Sequence, residues 1–192
     1  MTSAAAAVDH ALALRCVRGD EDARRALFRA HRDRVHVVLY RVLGTNREME
    51  DLAQEAFAEI FASLGGYRGE ASLATWVDRI TTRVAYRWLR RRERPPARLE
   101  LVAEPASGDD PERTVWLREV ARRLYALLDG LEPRQRVAYA LCVLDERPLA
   151  EVAALTESTV VATKVRVFRA RRFVEARAAR DPLLREYLGG AR

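Results

Sequence analysis

Apolar residues in this chain recur at three- and four-residue intervals on both sides of Pro95-Pro96, and nowhere do they alternate as a half-buried strand would require. From Asp20 to Val42 the spacing runs through Ala23, Ala26, Leu27, Ala30, Val35, Val38, Leu39 and Val42. Gly44 closes that helix. Thr45-Asn46-Arg47-Glu48 reads as a capping box for the next one, with Thr45 accepting from the Glu48 amide. That helix turns Leu52, Ala53, Ala56, Phe57, Ile60 and Phe61 inward and stops at Gly65-Gly66. Ser72 caps a third helix reaching about Arg94, with Leu73, Val77, Ile80, Val84 and Trp88 inward. The proline pair then removes two amide donors and ends it. Residues 95–111 carry Pro, Ala, Glu, Ser, Gly and Asp without periodicity, as a linker does.

Helical spacing resumes after Asp110-Pro111, a capping side chain followed by proline in the first turn. The stripe there is Val120, Leu124, Leu127, Leu128 and Leu131. Further helices are predicted from Pro133 to Leu144, about Leu149 to Leu155 and Thr159 to Arg177, with a short one opened by Asp181-Pro182. The predicted fold is therefore all-α, with two helical domains over 1–94 and 112–192 joined by a flexible linker over 95–111.

Composition bears on partners. The net charge is +6 and the pI about 9.9, which favours an anionic partner. Lys164 is the only lysine among 34 basic residues, a bias that a GC-rich genome accounts for. Cys16 and Cys142 are isolated, in keeping with a reducing cytoplasm. Met1 to Val8 lacks the basic start and apolar core of a signal peptide, and no run is long enough for a membrane span. His10, His31 and His36 have no metal-ligand spacing, and no Gly-rich phosphate loop is present. The chain therefore reads as a protein without catalytic residues, metal site or cofactor.

Charge is segregated. On the second predicted helix Glu48, Asp51, Gln54, Glu55 and Ala58 lie opposite the apolar stripe, either as a solvated face or as a docking face. Residues 79–98 hold eight arginines against one acid, and Arg79, Arg83, Arg87 and Arg90 share a stripe suited to phosphates. Trp76 beside them is equally a core residue or a platform for an unpaired base. Glu151 to Leu155, a short turn, then Thr159 to Arg172 have helix-turn-helix proportions. There Val161, Val165 and Phe168 are expected inward, with Thr159, Thr163 and Arg166 outward and Lys164 at the border.

These residues resemble a known family. Glu50-Asp51-Leu52-Ala53-Gln54-Glu55-Ala56-Phe57 and Gly69-Glu70-Ala71-Ser72-Leu73-Ala74-Thr75-Trp76-Val77-Asp78-Arg79-Ile80, followed by an arginine-rich helix end, are similar to region 2 of bacterial RNA polymerase sigma factors. The likeness is strongest to the small extracytoplasmic-function (ECF) group, which has only regions 2 and 4. Glu151-Val152-Ala153 and Lys164 to Arg171 resemble region 4, and the whole likeness covers roughly 18–175.

The resemblance implies roles. Asp51, Gln54 and Glu55 match the face that docks on the clamp helices of the polymerase's largest subunit. The loop from Tyr67 and Arg68 to Ala71, with Trp76, Arg79 and Arg83, matches the part that recognises and opens the −10 element. Thr163, Lys164, Arg166 and Arg169 match candidates for reading the −35 element, in a region that also touches the polymerase flap. An anti-sigma factor is implied as a partner, and the cytoplasm as the location. The turn departs from the family pattern: Glu157 and Ser158 stand where Gly and an apolar residue are usual, Val161 where a second Gly is usual and Ala162 where Thr is. Weaker −35 than −10 reading is the expected consequence. The alternative is a sigma-like interaction protein that binds polymerase or a regulator without initiating transcription. A free-standing helix-turn-helix repressor would have no use for the acidic face. The tail from Arg177 to Arg192 extends past the family's usual end.

Overall fold

The structure, a computed structural model, describes residues 4–45, 47–91 and 111–190. Among them are α-helices only, with a 3-10 turn at Leu64–Gly66 and a π turn at Ala140–Leu144. In chain order these are α1 (Ala4–Val17), α2 (Glu21–Leu43), α3 (Met49–Ser63), α4 (Leu73–Arg91), α5 (Pro111–Leu128), α6 (Pro133–Tyr139), α7 (Leu149–Leu155), α8 (Val160–Ala178) and α9 (Pro182–Gly190). The linker residues 95–110 and the C-terminal side of the arginine run, Arg92, Arg94 and Arg98, lie outside the described residues, as do Asn46 and Asp110.

The first half is a bundle of α1 to α4. Leu27, Val35, Val38, Leu39, Ile60, Val77 and Val84 are buried where α2, α3 and α4 meet. α1 was not legible as a helix in the alanine-rich start, yet Ala13 and Cys16 are core residues. Asp9 on α1 also accepts the Leu73 amide at the start of α4 (2.8 Å), one of the donors a helix start leaves unpaired. Ser72 caps α4 as expected, accepting from the Thr75 amide at 3.1 Å. The capping box at Thr45 does not form. Thr45 Oγ1 accepts from Arg47 N (3.2 Å), and the Glu48 carboxylate instead takes the Trp88 indole N–H from α4. A charge-assisted bond to a neighbouring helix has displaced the local one.

The second half comprises α5 to α9. α9, in the segment beyond the family's usual end, packs on α5 through Leu184, which joins Val120 and Ala178 in a small cluster.

The two halves are in contact, which the periodicity does not announce. Val137, Ala140, Leu141, Val152 and Leu155 belong to the same buried cluster as the first half's core. The junction is built at the C-terminus of α2, where four carbonyls lack helical partners. Tyr125 Oη donates to Tyr40 O (3.3 Å) and Arg41 O (3.1 Å). Arg136, 2% exposed, donates Nε to Val42 O (2.8 Å) and Nη2 to Leu43 O (2.6 Å), and pairs with Asp129. Its positive charge also sits at the negative end of the α2 dipole. Gly44 follows at φ +71°, and a Cβ there would collide with the Tyr125 ring.

A second clamp lies on α4. Asp78, 1% exposed, takes a bidentate pair from Arg34 on α2 (2.6 and 2.7 Å) and a third bond from Arg147 ahead of α7. Burial of Arg147 opposes its charge, but hydrogen bonds to Asp78 and Asp145 outweigh this and raise its pKa.

Candidate polymerase-docking and nucleic-acid surfaces

α3 places its acidic face as the spacing predicts. Asp51 and Gln54 are exposed, and Asp51 has no ion-pair partner among the described residues. Glu55 is half-buried and spent internally: Arg87 donates to it at 3.0 Å and Arg91 at 3.2 Å. The open part of the face is therefore Asp51 and Gln54.

The same pairing thins the basic stripe of α4. Arg83 and Arg87 both bond Glu59, so the arginines nearest α3 neutralise α3. Hydrogen bonding from Arg87 holds Glu59 below the ordinary carboxylate value of 4.5, against the opposing effect of burial and with help from Arg83. A depressed folded pKa adds stability that is complete above about pH 4.5 and is lost as the pH falls through the lower folded value. Glu59→Gln is expected to lower stability at neutral pH and to flatten the acid limb, so that variant and parent converge at low pH in urea unfolding.

Arg79 carries no carboxylate partner among the described residues, and its Nε is buried without a hydrogen bond. Arg68 is exposed on the loop before α4. Tyr67 is buried at 5% exposure, its hydroxyl donating to Ala71 O (2.8 Å) and its ring edge-on to Trp76 at 5.6 Å. Trp76 itself is half-buried against the core. In this arrangement the two aromatics support the loop, and Tyr67 presents no face to a base.

In α8 the helix is rotated relative to the sequence expectation. Thr163, Val167, Ala170, Val174 and Ala178 are buried, while Val161 (73% exposed), Val165 and Phe168 face solvent. Thr163, Val167 and Ala170 are the positions of α8 turned toward α6 and α7, and packing against those two helices decides the phase. Thr163, expected outward, is fully buried with its hydroxyl unpartnered, so it cannot reach a base edge. Lys164 and Arg169 are exposed, and Arg166 donates to Ser158 Oγ at 2.9 Å.

The turn before α8 explains its sequence departure. Glu157 N donates to Ala154 O (3.4 Å) and Ser158 N to Ala153 O (2.9 Å), the paired bonds of a Schellman C-cap. Glu157 occupies its left-handed position at φ +49°. That conformation costs a non-glycine residue about 1–2 kcal/mol, partly offset by the entropy glycine loses on folding. Glu157→Gly is accordingly expected to stabilise the protein by about 0.5–1 kcal/mol, read as a higher denaturant midpoint.

Among the described residues no cluster of His, Cys, Asp or Glu could hold a metal ion, and no helix is long and apolar enough to cross a membrane. The architecture defines a class: a helical bundle carrying an acidic face and an arginine helix, followed by a helix-turn-helix unit with a basic second helix. A family model of sigma-70 region 2 matches residues 27–95, and one of sigma-70 region 4 matches residues 121–174. The chain is 33% identical over 150 residues to the ECF RNA polymerase sigma factor SigE of Mycolicibacterium smegmatis, spanning 76% of this chain but 57% of that relative. It is 29% identical over 188 residues to the RNA polymerase sigma-H factor of Pseudomonas aeruginosa, spanning 93% and 96%. The fold also resembles the sigma factor RpoE solved in complex with the anti-sigma factor NepR from Bartonella quintana. That match has a TM-score of 0.55 at 16% identity over 79% of this chain and 94% of that one. The chain belongs to the sigma-70 family, in its extracytoplasmic-function group of non-enzymatic factors that direct transcription initiation.

Proposed function

We propose that α3 docks this sigma factor on the clamp helices of core RNA polymerase through Asp51 and Gln54, with Glu55 holding the arginines of α4 in place. α4 and the loop before it then engage the −10 element, through Arg68, Arg79 and Arg83, while Trp76 and Tyr67 shape the loop. The exposed face of α8 meets −35 DNA, where Lys164 and Arg169 neutralise phosphate and Val161 offers only apolar contact to a base such as thymine. The flap of the polymerase contacts the same domain. Such partners place the protein in the cytoplasm.

The observation that supports this reading is the segregation of charge: an open acidic-polar patch on α3, uncompensated cations on α4, and further exposed cations on α8 in the second half. Contact with two separated promoter elements requires the two halves to part from the arrangement described above. A complex with an anti-sigma factor, as solved for the Bartonella protein, is the partner expected to keep them unavailable.

The test is promoter opening. Arg79→Ala with Arg83→Ala is expected to leave polymerase co-purification intact and to lower permanganate reactivity across the −10 region. The salt slope of DNA binding should flatten by about 0.7–0.9 per lost phosphate contact. Reactivity and slope equal to the parent would remove these arginines from the DNA surface.

A further inference from the structure

α4, α6 and the α7–α8 turn line a cavity of about 300 Å³ between the two halves, open to solvent on the side where Arg134 and Glu157 are exposed. Arg79 and Arg83 reach it from α4, Arg134 from α6 and Arg166 from α8. Arg83 is neutralised by Glu59, but no carboxylate pairs with the other three among the described residues. Arg134 donates only to the Tyr86 hydroxyl (3.2 Å) and Arg166 to the Ser158 hydroxyl. Glu157 is the single carboxylate in the lining, so positive charge is in excess.

Two polar groups on this wall have no partner. Thr82 is 2% exposed and its Oγ1 makes no hydrogen bond, and the same holds for the buried Nε of Arg79 one turn away. Buried donors left unpaired are costly; these two lie behind the cavity surface, so the guanidiniums of Arg79, Arg134 and Arg166 attract an anion and the two buried groups gain a partner as the wall closes on it. Val137 and Leu155 add an apolar wall. The volume lies at the low end of small-molecule sites, ~300–1,000 Å³, and excludes a nucleic-acid duplex.

We infer that this cavity binds a phosphate-bearing small molecule, which bridges the two halves and holds them together. Arg79 and Arg166 would then be occupied by the ligand. That consequence for promoter access rests on the DNA surfaces proposed above, whereas binding itself does not.

The experiment uses the free full-length chain in low salt, titrated calorimetrically and melted with pyrophosphate, inorganic phosphate or AMP. The variants are Thr82→Val, Arg134→Gln and Glu157→Gln. Neither Thr82 nor Arg134 belongs to the docking or DNA surfaces, so a failed promoter assignment would not affect the result. At least one of the three phosphates is expected to bind and raise the melting temperature. AMP binding more tightly than the inorganic ions would identify an organic phosphate; equal or weaker AMP binding would identify the inorganic anion. Thr82→Val should melt at or above the parent without ligand, because it removes a buried unpaired hydroxyl, yet bind about threefold more weakly. Arg134→Gln should bind about tenfold more weakly and Glu157→Gln more tightly. Absence of binding by all three, equal affinity in parent, Thr82→Val and Arg134→Gln, or an equal response to sodium chloride at matched ionic strength would overturn the inference.

Discussion

Asp51→Arg with Gln54→Arg is expected to weaken binding to core RNA polymerase by roughly a hundredfold, about 3 kcal/mol, as like charges are brought together across the interface. The pair is chosen on the geometry of α3. Both side chains are exposed, and neither participates in the network that joins α3 to α4. Glu55 is a poorer probe, because reversing it would set an arginine against Arg87 and Arg91 and disturb the bundle. The double variant should therefore unfold within about 0.5 kcal/mol of the parent, as surface substitutions do. Co-purification with polymerase at the parental level would remove this face from the docking surface.

The largest effect on stability is expected at Arg136. Replacing it with Met keeps the apolar stem and removes every hydrogen bond. The α2 carbonyls of Val42 and Leu43 lose their donors, and Asp129 is left without its buried cation. Breaking a buried pair by removing one partner costs about 3–5 kcal/mol. Since those carbonyls belong to one half and Arg136 to the other, much of that loss falls on the contact between halves. Urea unfolding of the parent should follow one transition. Arg136→Met should split it into two, with a larger radius of gyration by X-ray scattering before unfolding. An unchanged midpoint and radius would show that Tyr125 and the Asp78 clamp suffice to hold the halves together.

The local elements were largely legible. Periods of three and four residues gave the helices; Gly44, Ser72 and Pro133 marked their ends, because those signals are chemical and close in sequence. The acidic face of α3 was legible for the same reason. What escaped depended on partners far along the chain. The alanine-rich α1 is held by Asp9 reaching Leu73, and Glu48 is drawn from its expected cap by Trp88. Glu55 and Glu59 take up arginines whose spacing alone had marked them for phosphate. α8 carried two candidate stripes, and Val161, Val165 and Phe168 lost to Thr163, Val167 and Ala170, a choice set by packing against α6 and α7 that spacing alone does not make. The left-handed backbone at Glu157 left a trace in the sequence, since a Glu stands there where the family has Gly.

With core polymerase, this chain is expected to select promoters. Run-off transcription with purified core enzyme on genomic promoter fragments tests it most directly. The expected result is a small set of discrete transcripts that depend on the added chain and disappear with Asp51→Arg and Gln54→Arg. A chain that binds polymerase but yields no transcript beyond those of core enzyme alone, on any fragment, would contradict it.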